Sequence, residues 1–184
     1  MRLTLICLIL VAPLSAGAHP AHQAWAAFLD HPTTENYRRI AKTLDSCRSV
    51  SCEPEVAPDS DSVVKLVGLV EKGQRQAIDL AFLCRRFLDG GDLEDVSRSL
   101  GMVADAHPRV FLEEVKEHRL PLRQLRKILR MMPESVIDDD VKRRAAVRER
   151  LRSLSTVKDP NLSDIRHAAA EVLRPLLTSL ENSK

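Results

Sequence analysis

Apolar residues recur at helical spacing along most of the chain, and Pro, Gly, Asp and Ser interrupt them at short intervals. In "HQAWAAFL", Trp25, Phe28 and Leu29 stand at i, i+3 and i+4, which predicts a short helix over 22–29. Tyr37, Ile40, Ala41 and Leu44 form the stripe of a second helix over 33–46, with Thr33 or Thr34 available as its cap. Two helices, 60–72 and 74–88, meet at Gly73. Asp92 is the expected cap of a helix running to Ala106, and Pro108 and Pro121 open helices over 108–118 and 122–131. A charged helix over 138–154 and a last one from Asp159-Pro160 to about Leu180, with Pro175 as a kink position, complete the series.

The expectation is therefore an all-α protein. It would be an irregular α-helical hairpin array, solenoid-like, or a bundle of about eight or nine helices. Six glycines and few β-branched runs oppose a sandwich or barrel, and with only 3% aromatic residues the core must be aliphatic.

The opening residues follow a different pattern. Arg2, the apolar run Leu3–Val11 and the small residues Ala16-Gly17-Ala18 have the anatomy of a secretory signal over 1–18, cleaved before His19. The run is too short to span a bilayer and no later window is free of charge for the roughly 20 residues a span needs, so no membrane span is expected. Residues 19–184 then read as one exported domain, periplasmic or secreted.

Export decides how the cysteines are read. Cys47 and Cys52 flank a polar loop over 47–58, and in an oxidising compartment a local Cys47–Cys52 disulfide is the favoured pairing. Free thiols, a redox pair and half of a metal site are the alternatives, and no matching ligand pair or Cys-x-x-Cys supports the last two. A loop this short would contribute about 2 kcal/mol, enough to pin a connection. Cys84 falls on the stripe of Ala77, Leu80, Ala81, Phe87 and Leu88 and is assigned to the core.

An internal echo runs through 63–130. Val63, Gly68 and Val70 match Val96, Gly101 and Val103 at an offset of 33, with Lys65 against Arg98 and Arg86 against Arg119; "FLD" at 28–30 returns at 87–89. On these positions the section resembles HEAT- or armadillo-type helical repeats, which implies helix pairs stacked on their neighbours.

Motifs for nucleophilic catalysis, phosphate cradles and metalloprotease sites are absent, so no enzymatic activity and no cofactor are expected. Glu114 and His118, four apart in "FLEEVKEH", can share a cation or simply each other. Asp138-Asp139-Asp140 reads as a helix start complementing the dipole in preference to a hard-cation site. The mature terminus His19-Pro20-Ala21-His22 resembles the copper-chelating N-termini of exported proteins, with His22 or His31 as a further ligand.

The candidate binding surface is basic. Arg119, Arg123, Arg126 and Arg130 lie at spacings of four, three and four, opposite Leu122, Leu125, Ile128 and Leu129, and Arg143, Arg144, Arg148, Arg150 and Arg152 follow. Arginine forks suit carboxylates and phosphates, which points to an acidic protein partner or an anionic envelope component. Export and the scarcity of aromatic residues disfavour nucleic acid. The expected function is a non-enzymatic protein-binding module. A toxin-neutralising immunity protein, similar in architecture, and a copper-binding protein are the alternatives.

Overall fold

The computed structural model describes residues 20–47 and 53–182, and the described residues are helices and connectors with no strand. The signal segment, His19 and Cys52 lie outside the described residues. The chain runs through α1 (Pro20–Asp30), α2 (Thr34–Ser46), α3 (Glu53–Val56), α4 (Ser60–Glu71), α5 (Arg75–Cys84), α6 (Gly90–Ala106), α7 (Pro108–Glu117), α8 (Leu122–Arg130), α9 (Glu134–Ile137), α10 (Asp140–Thr156) and α11 (Ser163–Asn182). Short 3-10 turns at Arg85–Phe87 and Pro160–Leu162 follow α5 and precede α11.

Local chemistry accounts for most boundaries. The Thr33 side chain caps α2 by accepting from Asn36 N, and Asp59 caps α4 by accepting from Ser62 N. Gly73, at φ 74°, ends α4: the Gly73 and Gln74 amides return to Val70 and Leu69 O. The aspartate run works as a helix start, because Asp139 Oδ1 accepts from Val141 N and Lys142 N. Other boundaries differ from the periodicity. The segment 74–88 is one helix only to Cys84 and then tightens into the 3-10 turn. Asp89, not Asp92, is the capping position of α6, and the Asp92 carboxylate instead accepts from Ser60 Oγ, tying α6 to α4. The one-turn helices α3 and α9 carry no periodicity long enough to be seen.

Helix α6 is the axis of the packing. It touches α4, α5, α7, α8 and α10. Neighbours approach closely because Ser97, Ser99, Gly101 and Ala104 are small and buried, and both serine hydroxyls are satisfied by carbonyls of their own helix. Around α6 the core is aliphatic, with Ile40, Leu44, Leu66, Ile78, Leu80, Leu100, Leu112 and Ile128 fully buried beside Trp25, Phe28 and Phe111. Each such side chain contributes roughly 1.5–3 kcal/mol by leaving water. Cys84 is free and wholly buried, as its stripe predicts, and burial pushes its thiol up to about 12. Trp25 donates from Nε1 to Val56 O at 2.9 Å, which fixes α3 against α1. Cys47 is buried at the end of α2.

The valines of the 33-residue echo, Val63, Val70, Val96 and Val103, are all buried. Its two glycines have different surroundings. A Cβ at Gly68 would meet open space, whereas one at Gly101 would stand 2.9 Å from Met131 O. None of the described helices is long and apolar enough to cross a membrane.

One ionic clamp belongs to the fold. Arg150, on α10, is completely buried; its Nε and Nη2 donate to both carboxylate oxygens of Asp105 on α6 at 2.7 Å, and Nη1 donates to Leu129 O and Met131 O. The last two are carbonyls at the C-terminal end of α8 that have no partner within the helix. Arg150 therefore joins three helices and is not part of a basic surface, as its place in the sequence had suggested. Arg148 and Arg152 are likewise engaged, with Glu181 and Glu149.

Candidate functional site

Two surfaces that meet at Arg119 carry the unusual chemistry. The first is a polar groove of about 850 Å³ between α5, α7 and the turn before α11, lined among others by Tyr37, Arg75, Asp79, Glu114, Arg119 and Asp159. The apolar periodicity of α5 points Ala77, Ile78, Leu80 and Ala81 into the core and leaves Asp79 half-buried at the groove floor. On α7, Phe111, Leu112 and Val115 bury one face and carry Glu114 in with them; only 3% of Glu114 remains exposed. His118 follows one turn later, at the C-terminal cap.

These residues form a closed network. His118 Nε2 lies 2.8 Å from Asp79 Oδ1 and 3.3 Å from Glu114 Oε2. The Tyr37 hydroxyl donates to Asp79 Oδ2 at 2.7 Å, and Arg75 donates from Nε to Glu114 Oε1 and from Nη1 to Glu113 Oε2, each at 2.7 Å. The His118 ring is stacked on Phe82, with centroids 5.5 Å apart and planes within 5°. Burial lowers the His118 pKa, but the hydrogen bonds and charges of Asp79 and Glu114 outweigh it and hold the imidazole up at about 9. Burial raises the Asp79 pKa, yet its bonds to His118 and Tyr37 win and the carboxyl sits below the usual range. Tyr37 is pushed above the ordinary phenol value, by burial first and then by its bond to Asp79. Among the described residues, Asp79, Glu114 and His118 are a group whose potential ligand atoms all lie within 4.8 Å of one another, so they are the residues able to hold a metal.

The second surface is the outer face of α8. Leu125, Ile128 and Leu129 are buried, and Arg123, Arg126 and Arg130 are exposed, as the spacing predicts. Leu122 departs from the prediction: it is 53% exposed. It lines a shallow hollow of about 250 Å³ with Val115, Leu120, Leu125, Ile165 and Ala168, beside Arg119. Among the described residues, no carboxylate pairs with Arg119, Arg123, Arg126 or Arg130, although Arg75, Arg98, Arg109, Arg148, Arg150, Arg152 and Arg174 all have one.

Arg119 joins the two surfaces at a strained backbone position. Its φ is 46°, the left-handed region where glycine normally ends a helix. The motif is complete: Arg119 N returns to Lys116 O at 3.1 Å and Leu120 N to Val115 O at 3.0 Å. Gly73 performs the same turn after α4 without strain.

The structure thus brings together Glu114 and His118, as their i, i+4 spacing suggested, and adds Tyr37, which periodicity places on the stripe of α2, and Asp79, which no motif singles out. One signal was available for Asp79: it is the only charged residue between Gln76 and Cys84. Elsewhere the candidates stay apart. His22 is half-buried on α1 and His31 is exposed after it. Comparison with protein-family models, with curated proteins and with solved structures finds no match.

Proposed function

We propose that this chain is a non-enzymatic helical module, exported by cleavage after Ala18 and held at its 47–58 loop by a Cys47–Cys52 bridge, that binds an acidic partner protein on the outer face of α8. The observation that carries the reading is that Arg119, Arg123, Arg126 and Arg130 gather on one exposed face with no carboxylate partner among the described residues, whereas seven of the other fourteen described arginines find one. Exposed arginines with no internal partner keep their forks free for carboxylates on another molecule. The adjoining hollow beneath Leu122 supplies the apolar component that a protein interface needs at its centre and that simple charge attraction lacks. The ligand is therefore a polypeptide segment rich in Asp and Glu that also carries an apolar side chain. The helix pairs in this reading form a solenoid-like scaffold that presents α8.

The test is a titration of the full mature chain with a labelled Glu-rich peptide containing one leucine, alongside capture of envelope proteins. The expected result is saturable binding that weakens with salt, falls at least tenfold when the peptide leucine becomes alanine, and is lost in the double variant Arg123→Glu/Arg126→Glu. Equal affinity of the variant and the parent chain overturns the proposal.

A further inference from the structure

We propose that Asp79, Glu114 and His118 form a binding site for one divalent transition-metal ion of the zinc type, opening onto the polar groove. The argument begins with the oxygens that face away from the cluster. Tyr37 donates to Asp79 Oδ2 and Arg75 to Glu114 Oε1, so each carboxylate has its outer oxygen occupied and its inner oxygen turned to His118 Nε2. Outer partners that orient each ligand are what metal centres require around their first ring of donors. The imidazole is oriented as well, by its stack on Phe82.

Spacing fits the ion. With metal–ligand distances near 2.0–2.1 Å, tetrahedral geometry places neighbouring donor atoms about 3.3 Å apart. Nε2 stands 3.3 Å from Glu114 Oε2 and 2.8 Å from Asp79 Oδ1, and all three donors lie within 4.8 Å of one another, so a small retreat of Asp79 with release of the Nε2 proton to solvent opens the space in which the ion sits. One imidazole nitrogen with two carboxylate oxygens suits Zn2+ and its first-row neighbours, whereas Ca2+ and Mg2+ call for a larger shell of oxygens. Three protein donors leave a fourth position. Asp79 and Glu114 line the groove, so that position faces it and is filled by water or by a donor from a groove ligand.

The test uses the full mature chain, stripped with chelator and titrated with Zn2+ by calorimetry and with Co2+ by visible absorption. The expected result is one ion per chain, with binding weakened at least tenfold in Asp79→Asn and His118→Gln, weakened to a lesser degree in Tyr37→Phe, and unchanged in His167→Gln. No stoichiometric uptake by the parent chain overturns the proposal, as does equal uptake by the parent, Asp79→Asn and His118→Gln. Where His118→Gln does not fold, His118→Cys decides: its Co2+ complex must show thiolate-to-metal charge-transfer absorption that the parent complex lacks, and absence of that band sinks the assignment.

Discussion

Arg150 and the arginines of α8 are the same residue under opposite conditions. Arg150 is wholly buried and meets two carboxylate oxygens of Asp105 and two carbonyls, so each of its three guanidinium nitrogens is hydrogen-bonded within the fold. Arg123, Arg126 and Arg130 lie within a few residues of the carbonyls that Arg150 caps, yet they stand in solvent with no carboxylate among the described residues. Burying a guanidinium costs several kcal/mol unless its charge is paired and its nitrogens find acceptors, and an exposed one carries no such requirement. The buried, paired arginine is therefore committed to stability, and the exposed ones remain available for recognition.

The sharpest way to break this contrast is Arg150→Ala. It leaves the Asp105 carboxylate and the two α8 carbonyls without their donor, and because Asp105 is partly open to water the expected loss is near the low end for a buried pair, about 3 kcal/mol. Urea denaturation of parent and variant measures it; a loss below about 1 kcal/mol would show that water replaces the clamp. Arg119→Gly tests the position where recognition and stability meet. Relief of the left-handed backbone is worth about 1–2 kcal/mol, and the extra entropy of glycine in the unfolded chain offsets about half of it. The net expectation is a gain of about 0.5–1 kcal/mol in the same denaturation experiment, accompanied by weaker binding of the acidic peptide. The smallest effect on stability is expected for Arg123→Glu/Arg126→Glu, whose midpoint should correspond to a change within about 0.5 kcal/mol of the parent. A larger loss would mean that these side chains hold the fold together and would remove the distinction from Arg150.

How much of this was legible varies from element to element. The stripe Ile40/Leu44 with Thr33 before it, the stop at Gly73 and the proline at the start of α7 are local signals, and the helices begin or end where those residues place them. Asp92 misled because a carboxylate near a helix start is equally at home as a cap or as a partner to another helix, and Ser60 on α4 decided between them. Leu122 misled because periodicity marks a face without revealing whether a neighbour covers all of it. The Glu114–His118 pair could be seen, since four residues are one helical turn. Asp79 and Tyr37 could not be joined to it, because they lie 39 and 81 positions before His118 and sequence spacing carries no information across separate helices.

By itself the sequence determined the helical class, the aliphatic core with Cys84 inside it and the exposed arginine face of α8, because each depends on residue type and on periodicity within one helix. Tertiary structure alone decided which arginine is buried, which carboxylates meet His118 and which leucine stays in solvent. Those outcomes depend on how α5, α6, α7, α8 and α10 cross, and a buried charge is tolerable only where that crossing supplies its partners.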